Sequence, residues 1–308
     1  MTRAEYMRAT EYVVSAIGRL FTGPCIETRC LDNKESFGDL DLVIAVENYD
    51  GNLVQHIALH LLAVEIAGNS IGVPFEGRII QVDINIAPPQ LFHQVVTNLS
   101  YGVFGMYVGL CLSKYDLSYG AKGLSIRVNN SCLLLSTNAQ DIFEFLGYDY
   151  RRFERGFADE AALFAFILES PFAHVDFMKN CKRGANAANA ASSASRAYDK
   201  YKTFDHKLLS VKYHTVKMCP DIVRRAALTF FNKHNDYEAY INECARVRAV
   251  AEKFNGNIVA SLTGLYGPVL GDFMIKFKRG HDVERLYGMS GPDIRRAIMK
   301  AHAQEILE

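Results

Sequence analysis

Apolar positions in the first part of the chain change period several times. Residues 2–20 place Tyr6, Ala9, Val13 and Ile17 at helical spacing before Gly23-Pro24 stops the run. Residues 25–31 read as a short strand and 34–38 as a turn. Residues 39–46, Asp-Leu-Asp-Leu-Val-Ile-Ala-Val, carry the clearest strand pattern, bounded by Gly38 and by the polar stretch 47–51. The spacing then predicts a helix over 53–67 ending at Gly68, a strand region over 75–86 closed by Pro88-Pro89, and a helix over 91–100. A hairpin of 124–128 with 132–135 is expected to turn at Asn129-Asn130.

After Ser136 only the helical period remains, over 137–146, 159–168, 220–232, 236–254, 269–277 and 292–306. The expected fold class is therefore α+β: an N-terminal mixed sheet with flanking helices over 1–135, followed by an all-α domain over 136–308. Residues 184–197, almost all Ala, Ser, Asn and Gly, read either as a linker or as a small-residue helix packed closely on a neighbour. No internal repeat is evident.

Composition narrows the class. With 308 residues, 49% of them apolar, the chain can fill two cores of ordinary size. The longest apolar run, 53–66, is interrupted by His56, His60 and Glu65, so no membrane partner is expected. The first residues lack a basic-then-apolar leader pattern. Seven cysteines without CxxC spacing fit a reduced, cytoplasmic setting with structural thiols.

A net charge of zero conceals an asymmetry. Residues 176–233 contain twelve Lys or Arg against four Asp, leaving the remainder with an excess of eight acids. The basic stretch interleaves cations with aromatics: Arg196, Tyr198, Lys200, Tyr201, Lys202 and Phe204, with Lys182 and Arg183 just before. Cations neutralise phosphates and aromatic faces stack on unpaired bases, so this pattern suits an RNA partner. The plain alternative is an amphipathic helix with its aromatics inside and its lysines solvated.

The acidic side of the asymmetry holds the most specific signal. Asp39 and Asp41 start a strand two residues apart, so both project from one face while Leu40 and Leu42 enter the core. In the later strand, Gln81, Asp83 and Asn85 share the face opposite Ile80, Val82, Ile84 and Ile86. If the two strands are neighbours, three carboxylates meet, and their repulsion is relieved by a divalent cation such as Mg²⁺. A pair of such ions is what phosphoryl or nucleotidyl transfer uses. Ordinary solvated acids are the competing reading.

The segment Ser36-Phe37-Gly38-Asp39-Leu40-Asp41-Leu42-Val43-Ile44 resembles the signature strand of the DNA polymerase β-type nucleotidyltransferase superfamily, which includes CCA-adding enzymes and poly(A) polymerases. The resemblance spans about residues 20–90. It implies Asp39 and Asp41 as ligands of two Mg²⁺ ions, Asp83 as ligand of the one that activates the attacking hydroxyl, and Ser36, Gly38 and Lys34 at the triphosphate of an NTP, ATP or CTP. The family's Gly-Ser pair some ten residues earlier is missing, and Arg29 and Lys34 are the cations that stand in that region. Residues 262–271, containing Gly267-Pro268-Val269-Leu270-Gly271, are similar to a turn and helix in the tail of bacterial CCA-adding and poly(A) polymerases. Gly291-Pro292-Asp293-Ile294 is similar to a related helix start.

Other motifs carry less. His56 and His60 have zinc-compatible spacing, yet no Glu follows His56, and helix-face histidines are the favoured reading. His281-Asp282 lacks the companions of a phosphohydrolase. No phosphate-binding P-loop and no dinucleotide fingerprint is present. The expectation is a template-independent nucleotidyltransferase with an RNA (tRNA-like) 3′ end as acceptor. Its rivals are a protein AMP- or UMP-transferase and a catalytically silent RNA-binding or assembly protein of the same fold.

Overall fold

The computed structural model describes residues 1–47, 51–129, 131–174 and 217–307. The candidate RNA contacts Lys182, Arg183, Arg196, Lys200 and Lys202, and the small-residue segment 184–197, lie outside the described residues. The chain divides into two compact units, Met1–Lys233 and His234–Glu308.

In the first unit, α1 (Arg3–Ile17) begins with a capping box: Thr2 accepts from the Glu5 amide, and the Glu5 carboxylate takes the Thr2 amide at 2.7 Å. Tyr6, Ala9, Val13 and Ile17 are buried against a five-stranded sheet, as their spacing predicts. That sheet runs β1 (Cys25–Glu27), β2 (Asp39–Ala45), β5 (Arg78–Ala87), β4 (Ser70–Phe75), β3 (Glu65–Ala67); β2 and β5 are parallel, the other pairs antiparallel. Gly23 leads into β1 at a point where any Cβ would collide with the Ala45 carbonyl oxygen.

Three helices decide which part of the sheet stays open. Leu40, Leu42, Ile44, Ile80, Val82 and Ile84 form one face and pack with α1 and α2 (Leu53–His60). On the other face, Val43, Ala45 and Ala87 are buried under Phe92, Val95 and Val96 of α3 (Phe92–Leu99). This cover includes only the C-terminal ends of β2 and β5, so the face is left partly open at their N-terminal ends.

The helix expected over 53–67 stops at His60. Leu62 adopts a positive φ of 52°, which a helix cannot continue through, and 65–67 instead pair with β4 as β3. The strand expected over 75–86 begins earlier and folds back: Glu76 and Gly77 both have positive φ and form a two-residue turn between β4 and β5. The hairpin is present as β7 (Gly123–Val128) and β8 (Ser131–Ser136), joined by an unexpected β6 (Leu117–Gly120) into a three-stranded antiparallel sheet. An unexpected helix, α4 (Phe104–Leu112), lies between the sheets in sequence.

Residue 135 falls within β8, and the described helices between it and Lys233 belong to the first unit. Aromatic packing explains this: the Phe143 ring of α5 (Ala139–Leu146) lies 5.6 Å from Phe104, tilted by 38°, and Phe153 of α6 (Tyr150–Arg155) sits 4.8 Å from the same ring. Helices α7 (Glu160–Ile167) and α8 (Pro220–Phe230) also belong to this unit.

The second unit is helical throughout its described residues: α9 (His234–Lys253), α10 (Gly256–Thr263), α11 (Gly267–Gly280), α12 (Val283–Gly288) and α13 (Gly291–Leu307). Its core is Val250, Phe254, Val259, Phe273, Phe277, Leu286, Ile294 and Ile298. The protein is thus α+β, with a mixed sheet, a small second sheet and a helical C-terminal region. Among the described residues no single helix is long and apolar enough to cross a membrane.

Candidate functional site

The parallel register of β2 and β5 sets Asp41 beside Asp83 and Asp39 beside Gln81. Neighbouring strands lie about 4.8 Å apart and alternate residues about 6.6 Å along a strand. All three acids therefore share one small patch on one face, the outcome expected from alternation in each strand. Each is half-buried. They occupy the N-terminal part of the strand pair that α3 leaves uncovered, whereas Val43, next on the same face, is fully buried.

The patch is electrostatically unsatisfied. Burial raises the Asp41 carboxyl to about 6, with further upward pushes from the charges of Asp39 and Asp83, and the Lys34 ammonium only partly opposes them. Asp83 accepts a hydrogen bond from Gln81 Nε2 at 2.9 Å, and Asn85 Nδ2 donates to the Leu42 carbonyl at 3.2 Å, tying β5 to β2. Among the described residues, no three His, Cys, Asp or Glu side chains are gathered into a ready-made metal cage. The donor chemistry nevertheless fits a hard divalent cation: carboxylate oxygens only, with one carboxyl pushed up by its acidic neighbours.

The loop leading into β2 is held from both sides. The Arg3 guanidinium donates to the carbonyls of Leu31, Asp32 and Lys34 at 2.8, 2.7 and 3.1 Å. Opposite, the amides of Asp32 and Asn33 donate to the carbonyls of Phe157 and Ala158. Phe37 stacks on Tyr6 at 4.0 Å, and the Lys34 ammonium sits 4.6 Å over the Phe37 ring. Ser36 makes an isolated antiparallel bridge with Thr2, and the space beside Gly38 is open.

No protein-family model matches the chain, and no curated protein is significantly similar to it in sequence.

The remaining candidates are placed as follows. Arg29 is turned to α6: it donates to the Glu154 carbonyl at 2.8 Å and lies 3.6 Å from its carboxylate. Lys34, by contrast, is near enough to Asp41 to lower its proton affinity. His56 and His60 are exposed on α2. The His281 ring stacks on Phe277 at 4.3 Å. Asp293, in the first turn of α13, accepts from the Ser290 hydroxyl. Sequence reasoning missed Arg3, because an arginine at the start of a helix carries no sign of which loop it will reach. It also missed Thr28, whose amide donates to the Asp41 carbonyl at 3.0 Å and extends the β1–β2 ladder beside the acids.

Proposed function

We propose that this protein is a template-independent nucleotidyltransferase that moves an NMP unit from an NTP to a hydroxyl acceptor. The observation carrying this reading is the parallel pairing of Asp41 with Asp83, with Asp39 two residues away on the same face. The resemblance of residues 36–44, which include Asp39 and Asp41, to the strand of DNA polymerase β-type nucleotidyltransferases also supports it. Asp39 and Asp41 would hold two Mg²⁺ ions and Asp83 one of them; when bound, the ions supply alignment of the hydroxyl with the α-phosphate and offset charge on the attacking and leaving oxygens.

The chain's own groups do the rest. Asp83, oriented by Gln81, takes the acceptor proton. Lys34 presents its charge to the triphosphate, and the loop held by Arg3 keeps Lys34, Ser36 and Gly38 in place. The acceptor proposed from the basic residues Lys182, Arg183, Arg196, Lys200 and Lys202 is an RNA 3′ end, with ATP or CTP as donor. Engagement of Arg29 by Glu154 and the missing Gly-Ser pair favour a second reading, a silent RNA-binding protein of the same fold.

The deciding experiment incubates the protein with each labelled NTP, Mg²⁺ and total RNA. Label is expected in RNA, and Asp39→Ala is expected to abolish it while the protein stays folded. Label in protein instead selects AMP or UMP transfer to a side-chain hydroxyl. Incorporation unchanged in Asp39→Ala refutes the mechanism.

A further inference from the structure

We infer that the outer edge of β1 is a docking strand for an extended peptide segment, bearing lysine or arginine, of a partner protein. The inference goes beyond the transferase reading and does not depend on it.

Strand β1 is the edge of the five-stranded sheet. The Ala45 amide donates to the Pro24 carbonyl and the Thr28 amide to the Asp41 carbonyl. Antiparallel alternation therefore turns the N–H and C=O of Cys25 and Glu27 away from β2. The next outward residue shows what satisfies such groups: the Arg29 amide donates to Ser100 Oγ at 3.2 Å and its carbonyl accepts from the Tyr101 amide at 2.6 Å. Among the described residues, the outward groups of Cys25 and Glu27 have no such partner. They form two donor–acceptor pairs about 6.8 Å apart, the repeat of an incoming strand.

The edge lies in an open cleft of about 1060 Å³, walled by α1 and by the end of α6. Those walls choose the occupant. A single extended chain adds one strand between them, whereas the β1 edge of a second copy would carry its own α1 and α6 toward them. Charge narrows the choice further. Of the cleft's arginines, Arg8 is held by Glu76 and Arg29 by Glu154, leaving Arg155. Against it stand Glu11, Glu27 and Asp32. Excess acid repels nucleic-acid phosphates and favours a cationic peptide. Ile26, 39% exposed, lies on the sheet face opposite Glu27 and offers apolar contact to the peptide side chains that alternate with the cationic ones.

The test uses the full-length protein and a fluorescent heptapeptide alternating lysine with valine. Fluorescence anisotropy is expected to show saturable binding, and hydrogen exchange at the Cys25 and Glu27 amides is expected to slow when the peptide is added. A copy of the peptide N-methylated at alternate amides keeps its side chains but cannot pair; it is expected to bind at least about tenfold more weakly. Glu11→Lys, on the exposed face of α1, is expected to weaken binding of the parent peptide. Four results overturn the inference: no binding at millimolar peptide, indifference to N-methylation, Cys25 and Glu27 amides already protected in the protein alone, or the same protection arising with concentration-dependent dimerisation.

Discussion

Replacing Asp41 with Asn tests the electrostatics of the carboxylate patch directly. The asparagine keeps the size of the side chain and removes one of three adjacent charges. A carboxyl raised from the usual aspartate value to about 6 corresponds to roughly 3 kcal/mol at 1.36 kcal/mol per tenfold change in proton affinity. Because the group remains partly open to water, the expected contribution is about 1–2 kcal/mol. The sign follows from linkage: the native state holds this proton more tightly than the unfolded chain does. Stability from Asp41 is therefore fully present below the ordinary aspartate range and lost as pH rises to about 6. Without divalent cations at pH 7, Asp41→Asn is expected to melt roughly 2–6 °C higher than the parent protein. Added MgCl₂ should stabilise the parent and have much less effect on the variant. The assay is thermal unfolding by circular dichroism in EDTA from pH 4 to pH 8, repeated with Mg²⁺. An Asn variant less stable than the parent at pH 7 in EDTA, or equal stabilisation of both proteins by Mg²⁺, refutes the proposed repulsion and its relief.

Arg3→Ala removes a guanidinium bonded to three loop carbonyls and is expected to cost about 1.5–3 kcal/mol; limited proteolysis should show faster cleavage within 28–38, with Arg3→Lys restoring part of the loss. Gly23→Ala sets a Cβ against the Ala45 carbonyl and is expected to destabilise the protein by about 1–3 kcal/mol, read from the urea midpoint. Leu42→Ala, which empties a fully buried position between β5 and α1, is expected to cost about 2–5 kcal/mol at an unchanged denaturant slope.

The parts of this fold that were legible in the sequence are those in which one period runs unbroken. Strand alternation placed Asp39, Asp41 and Asp83 on faces opposite Leu40, Leu42, Val82 and Ile84 because every second residue is apolar and buried. The parallel register of the two strands was not legible, since it depends on α2 and the β3–β4 hairpin crossing between them. β3 was lost in the helical reading because Glu65, Ile66 and Ala67 are all exposed and continue a helical spacing; only the left-handed turn at Leu62 interrupts it. α4 was hidden by glycines whose purpose is close packing: a Cβ on Gly105 would collide with Asn98. The division between the units also followed from contacts distant in sequence, since Phe104, Phe143, Phe153 and Phe166 come together from four segments.

At the acidic patch, a functional role competes with ordinary surface chemistry. Solvated acids elsewhere in this protein acquire partners: Glu76 takes Arg8, Glu169 takes Arg152, and Glu305 takes Lys276. Among the described residues, no Lys, Arg or His forms an ion pair with Asp39, Asp41 or Asp83, although the three are half-buried and side by side. A destabilising cluster stands at the one end of the β2–β5 pair that α3 does not cover. On the proposed reading, that cost is offset when a divalent cation binds. If the Asp41→Asn measurement finds no cost to relieve, the acids are ordinary surface groups, and the transferase reading loses its physical basis.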